Sequence, residues 1–116
     1  MYRAFEATGP GRLADPGDAG TITVDMYGQI CSVVTEGVET RTLAQPDRPG
    51  IIATVCLKTD GGDLTLTVTG GYNQDADTAM TFADAGDFVT FISIEVGTSY
   101  YWRVFVKAEE LVVPSA

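Results

Sequence analysis

One phrase occurs twice in this chain and fixes where its strands must begin. Arg12-Leu13-Ala14-Asp15-Pro16-Gly17-Asp18-Ala19-Gly20 leads into Thr21-Ile22-Thr23-Val24. Thirty residues on, Thr42-Leu43-Ala44-Gln45-Pro46-Asp47-Arg48-Pro49-Gly50 leads into Ile51-Ile52-Ala53-Thr54-Val55. Both copies read Leu-Ala-x-Pro-x-x-x-Gly followed by a β-rich run. A weaker echo, Phe82-Ala83-Asp84-Ala85-Gly86-Asp87, precedes the run with the strongest strand character. Proline withholds a ladder donor and glycine tolerates positive φ, so such a phrase ends one strand and turns the chain before the next. Used three times, it specifies a scaffold of short strands and corners and not a catalytic site. Because the full phrase occurs only twice, no solenoid is inferred.

Between these corners, period-2 alternation predicts strands over 21–25, 29–35, 38–43, 51–59, 63–69, 78–82, 88–96 and 100–107. Ala53, Val55 and Leu57 face one way, as do Leu64, Leu66 and Val68, with Thr65, Thr67 and Thr69 opposite. Asp60-Gly61-Gly62 reads as a hairpin turn. In the last hairpin Phe88, Thr90, Ile92, Ile94 and Val96 form one face and Val89, Phe91, Ser93 and Glu95 the other. Apolar residues on both faces imply burial on both sides, in a sandwich or against another subunit. Trp102 alternates with Val104 and Val106 and is expected in the core, whereas Tyr72 and Tyr101 are expected as exposed rings. No segment carries a helical period. The expectation is an all-β fold: a single small antiparallel sandwich or barrel-like domain over 20–108, with a jelly-roll arrangement among the options. An extended N-terminal arm over 1–19 and a C-terminal tail over 109–116 flank it.

Length and charge bound what such a domain can do. A chain of 116 residues supports one modest core. Its net charge of −9, with no basic cluster, argues against nucleic acid and against anionic membranes, and favours a basic protein surface or a cation as partner. The start, Met1-Tyr2-Arg3-Ala4-Phe5-Glu6, lacks the apolar run of a signal peptide, so synthesis in a cytosol is expected. In that reducing setting Cys31 and Cys56 are expected as free thiols and not as a bridge.

The chain has no histidine, which removes the commonest general base and zinc ligand. Asp60 with Asp63, and Asp84 with Asp87, are the carboxylate pairs that acid–base chemistry could use, but both lie in glycine-containing turns where aspartate serves local hydrogen bonding. Asn73-x-Asp75-x-Asp77 opens like a calcium loop, yet Thr78 stands where that loop needs glycine and Asp84 where it needs glutamate. No enzyme activity, cofactor or metal is expected.

The second half resembles a group of small virion proteins of tailed bacteriophages. The similarity is carried by Thr59-Asp60-Gly61-Gly62-Asp63, Gly71-Tyr72-Asn73-Gln74, Met80-Thr81-Phe82-Ala83-Asp84-Ala85-Gly86-Asp87 and Tyr100-Tyr101-Trp102-Arg103-Val104, with Arg41 to Gly50 following the same pattern. Such proteins look like capsid decoration, or cement, proteins. The resemblance implies a homotrimer on the outer surface of an icosahedral shell, made in the host cytoplasm, that staples neighbouring major capsid proteins. On that reading Tyr2, Phe5, Leu13 and Pro16 of the arm are expected to touch capsid protein, and Phe91, Tyr101 and Phe105 of the last hairpin to form the trimer contact. Rival readings are a head-fibre or tail-spike module that binds a receptor or glycan, a free-standing carbohydrate- or calcium-binding sandwich, and a small enzyme.

Overall fold

The computed structural model describes residues 11–109 and residue 111. It is all-β, with no helix among the described residues. The strands are β1 (Arg12–Leu13), β2 (Gly20–Ile22), β3 (Gln29–Val34), β4 (Glu39–Leu43), β5 (Ile52–Thr59), β6 (Leu64–Val68), β7 (Ala79–Phe82), β8 (Phe88–Val96) and β9 (Ser99–Lys107). They form two sheets, a five-stranded one in the order β1-β3-β5-β8-β9 and a four-stranded one in the order β2-β4-β6-β7.

Both sheets are mixed, which corrects the expectation of an antiparallel fold. β1, β3 and β5 run parallel to one another, as do β2, β4 and β6; antiparallel pairing enters only at β5–β8, β8–β9 and β6–β7. The cause lies in the corners. Each corner from β1 to β6 carries the chain into the other sheet, so the next strand of the same sheet returns in the same direction after a full circuit. The first six strands therefore stack as a flattened coil, an arrangement unlike the all-antiparallel jelly roll. Arg12 sits beside Ile30 and Ile30 beside Thr54, so successive turns of the coil differ in length and leave no even sequence period. The repeated phrase serves as a sheet-changing corner each time: it follows β1 in one copy, β4 in the other, and β7 in the weaker echo.

Inward positions of both sheets share one hydrophobic cluster. Cys31, Val33, Val55, Leu57, Val89, Phe91 and Trp102 come from the five-stranded sheet, and Leu43, Leu64, Leu66, Val68 and Phe82 from the other. On β8 the buried face is Val89, Phe91 and Ser93, and the alternate positions face outward. Trp102 is fully buried as expected, and its indole Nε1–H donates to the Ala44 carbonyl at 2.8 Å. Tyr72, expected to be exposed, is also buried, and its hydroxyl donates to the Ala79 carbonyl at 2.8 Å.

Residues 11–19 do not form a separate arm. β1 pairs with β3, and Leu13 packs against the core. Residues 1–10 of the expected arm lie outside the described residues. Of the expected tail, Leu111 is buried in the core cluster.

The Asp60-Gly61-Gly62 turn is not a hairpin, because β5 and β6 lie in different sheets. Its glycines are required by close approach. A Cβ on Gly61 would stand 2.2 Å from the Thr35 carbonyl oxygen, and one on Gly62 would stand 2.3 Å from the Gly37 carbonyl carbon. Two corners of successive coil turns thus touch backbone to backbone. Thr35 fastens the contact: its Oγ1 donates to the Gly62 carbonyl at 2.8 Å and accepts from the Gly61 N–H at 3.0 Å.

The neighbouring pair of corners is fastened by a buried charge. Arg41, on an inward position of β4, is 1% exposed. Its Nε and Nη2 donate to the two oxygens of Asp15 at 2.7 and 3.1 Å, its Nη1 to Glu39 at 3.0 Å and to the Thr40 carbonyl at 3.0 Å, and its Nη2 also to the Val34 carbonyl at 3.2 Å. Every donor of the guanidinium is therefore used. Asp15 also accepts from the backbone N–H groups of Gly17 and Val34. Burial alone would raise the Asp15 carboxyl. The bonds from Arg41, Val34 and Gly17, with the Arg41 charge, outweigh that and hold it below the usual carboxylate range.

Two expected outcomes follow for stability. Gly61→Ala or Gly62→Ala should destabilise the fold by roughly 1–3 kcal/mol through overpacking. Gly37→Ala, where a Cβ meets nothing within 4 Å, should change it by less than about 0.5 kcal/mol; urea melts of the three variants check the contrast. Arg41→Met should destabilise by about 3–5 kcal/mol, because it strands the Asp15 and Glu39 carboxylates. Because the Asp15 pKa is depressed in the folded state, its contribution is present above the unfolded carboxylate pKa of about 3.9 and fades as pH falls through the lower folded value. The stability gap between wild type and Asp15→Asn should accordingly be widest near neutral pH and shrink below about pH 4. A gap independent of pH would show that Asp15 gains nothing from its charge.

Candidate functional site

Three of the chemistry-bearing residues singled out from the sequence, Asp87, Asn73 and Asp77, make local hydrogen bonds. The Asp87 Oδ2 accepts from the N–H groups of Ala83 and Asp84, at 3.0 and 3.1 Å, and so builds the corner it sits in. In the 73–77 loop the Asn73 side-chain amide donates to Asp77 at 2.9 Å, and the Asp77 N–H donates back to the Asn73 side chain at 3.0 Å. The would-be calcium ligands thus close the loop on each other. Among the described residues no group of three or more histidine, cysteine, aspartate or glutamate side chains is placed to hold a metal ion.

Cys31 and Cys56 are both free. Register explains why: Cys31 pairs with Val55 and Ser32 with Cys56, so the two thiols lie one position apart and on opposite faces of the sheet. Burial, and then the nearby Asp15 carboxylate, push the Cys31 thiol up to about 11, with Arg41 opposing. Burial and the Asp87 charge raise Cys56 as well. Neither is an activated nucleophile at neutral pH.

Among the described residues, no further layer covers the outer face of the five-stranded sheet. Register lays Arg12, Ile30, Thr54, Thr90 and Val106 in one row across all five strands. Ile52, Ile92 and Arg103 form a second row, and Ile94 and Tyr101 a third. The Thr54 and Thr90 hydroxyls bond to each other at 2.8 Å, which lowers the polarity of the centre. In a chain of net charge −9, the charged residues among these outward positions, Arg12, Lys58 and Arg103, are all cationic. The Arg103 guanidinium lies 5.7 Å from the centroid of the Tyr101 ring, so its charge is partly spread over an aromatic face.

This face runs on to β9, which is an edge strand among the described residues. There Thr90 pairs with Val106 and Phe91 with Val104, which leaves Phe105 as the extra residue of a β-bulge. The bulge turns Phe105 outward, 58% exposed, beside the exposed Val106. A nine-residue edge strand carrying exposed apolar side chains is a site at which another chain can add or pack.

Carboxylates gather elsewhere. The corners at 14–19, 35–38, 60–63 and 83–87 all lead out of strand ends that the pairing brings to one end of the molecule, and with them come Asp15, Asp18, Glu36, Asp60, Asp63 and Asp84. Sequence reading missed this grouping, because it depends on which corners stack.

The expected contact residues separate accordingly. Tyr101 is half-buried on the outer face, and Phe105 is exposed further along the same strand. Phe91 belongs to the core: it points inward from β8 and packs near Trp102, with ring centroids 6.1 Å apart, so it is not available for a trimer contact. Pro16 is exposed and Leu13 is committed to the core; Tyr2 and Phe5 lie outside the described residues. The sequence reading overlooked Ile30, Ile52, Ile92 and Ile94. For Ile92 and Ile94 a signal was present in the apolar phase of 88–96, but the other phase, with Val89 and Phe91, is apolar too.

No family model matches this chain, and no curated protein matches it. The thiol assignment has a direct check. In the native state at pH 7 a thiol-reactive chromogenic reagent should leave Cys31 unmodified, and unfolding should release both thiols without a reductant; a single thiol per chain, or none, would mean a bridge.

Proposed function

We propose that this chain is a non-enzymatic virion protein that decorates the outer surface of an icosahedral bacteriophage capsid and cements contacts between major capsid proteins as a homotrimer. The observation that carries the reading is the apolar outer face of the five-stranded sheet, continuous with the Phe105 edge, on a small and otherwise acidic domain. Such a face suits burial against protein: isoleucines on its inner strands, with Tyr101 and the arginines on its edge strands. Closed cyclic packing through it would cover both the face and the β9 edge, and so remove the aggregation hazard that an open edge creates. Repetition over a shell would then multiply a modest capsid contact into firm attachment.

In this reading Tyr101 and Phe105, joined by Ile92 and Ile94, form the trimer contact. Tyr2, Phe5 and Pro16 contact the capsid, since Leu13 serves the core. The acidic corners favour a basic capsid surface. Burial of Trp102 and Tyr72 weighs against the head-fibre or tail-spike alternative, because a glycan platform needs such rings in the open.

Size-exclusion chromatography with light scattering should give a mass near three chains. Ile92→Asp should reduce it to one chain while leaving the circular dichroism spectrum unchanged. Removal of residues 1–10 should preserve the trimer and abolish co-sedimentation with undecorated phage heads. A monomeric wild type, or an Ile92→Asp trimer, would withdraw the face from the interface; full co-sedimentation without residues 1–10 would withdraw the capsid role of Tyr2 and Phe5.

A further inference from the structure

The outer face of the four-stranded sheet is built unlike any other part of the molecule. Its strands offer seven outward positions, and six are threonine: Thr21 on β2, Thr40 and Thr42 on β4, Thr65 and Thr67 on β6, and Thr81 on β7, with Ala79 the seventh. Register sets them in two rows, Thr21–Thr42–Thr67–Ala79 and Thr40–Thr65–Thr81. The five-stranded sheet has two register shifts, whereas these pairings have none, so the rows are unbroken.

Three properties follow. The seven strand positions carry no charge, although the chain has a net charge of −9; at the margin the Asp18 carboxylate accepts from the Thr40 N–H, at 3.1 Å. Its hydroxyls are unspent: among the described residues none of the six bonds to another protein group, in contrast to Thr54 and Thr90 on the opposite sheet. The side chains are stiff, because β-branching restricts χ1. The result is a rigid lattice of alternating hydroxyl and methyl groups, spaced about 4.8 Å between strands and about 6.7 Å along them.

An ionic partner finds no charge within the rows, a sugar finds no ring to stack on, and a protein finds no large anchor residue. A partner that is itself an uncharged periodic array of hydroxyl groups fits. In a tetrahedral water lattice with O···O distances of about 2.75 Å, second-neighbour oxygens lie about 4.5 Å apart, close to the strand spacing. Water held by a hydroxyl row at that spacing is already arranged as in the solid, so contact with a growing ice surface adds little ordering cost. The methyl groups order the intervening water without competing for its hydrogen bonds. We propose that the threonine face of the four-stranded sheet binds ordered water at an ice surface. This stands apart from the capsid reading, which uses the opposite sheet.

The test is uptake into slowly growing ice, measured as the protein concentration in the ice fraction against that in the remaining liquid. The wild-type chain should be enriched relative to an inert protein of similar size. Thr65→Lys, which places a charge at the centre of the lattice, should return it to the inert level, and Thr98→Lys, in the exposed β8–β9 turn, should not. Thr40→Lys and Thr81→Lys, at exposed positions, carry the same expectation should Thr65→Lys fail to fold by circular dichroism. Exclusion of the wild type from ice, or equal uptake of the folded lysine variants, overturns the proposal. So does retention on cellulose or chitin without ice uptake, which would assign the lattice to a solid polysaccharide.

Discussion

The buried guanidinium of Arg41 is the constraint around which the coil closes. A coil that changes sheet at every corner has to fasten each corner to the one above it, since no hairpin hydrogen bonds hold successive strands together. Arg41 does this for the first two turns: it reaches Asp15 in the β1–β2 corner, the Val34 carbonyl at the end of β3, and Glu39 on its own strand. With all its donors satisfied and a bidentate partner, the charge avoids the large penalty of an unpaired buried ion. Glycine does the equivalent for the next pair of corners, where only a missing Cβ lets the backbones at 35–38 and 60–62 meet.

Fastening at the corners leaves the sheet faces free to differ, and they do. One outer face is isoleucine-rich with cationic margins and runs into an exposed edge; the other is a threonine lattice without charge. Carboxylates collect at the corners instead. A domain with two faces of contrasting chemistry and an acidic end can present different surfaces to different partners at once.

Strand positions were legible because alternation is a local property. Leu64, Leu66 and Val68 could be placed inward, and Trp102 in the core, from period-2 phase alone. Phase becomes ambiguous where both faces are apolar, and β8 shows the consequence: Val89 and Phe91 face the core, while Ile92 and Ile94, equally hydrophobic, face out. Local cues also misassigned Asp60-Gly61-Gly62, because a glycine pair after aspartate fits a hairpin as well as it fits a close backbone crossing. Arg41 carried only a faint signal, a charge in phase with the buried Leu43. Its partner Asp15 lies in another corner that only folding brings near.

The sequence by itself determined an all-β chain, the positions of most of its strands and corners, and its acidity, because these depend on composition and on neighbours within a few residues. Tertiary structure alone decided that consecutive strands alternate between sheets and so pair in parallel. It also decided which corners stack, which face of β8 is buried, and that threonines scattered from Thr21 to Thr81 line up in rows. Each of these depends on contacts between residues far apart in the chain, and the pattern of hydrophobic alternation is the same whether a strand pairs with the one just before it or the one before that.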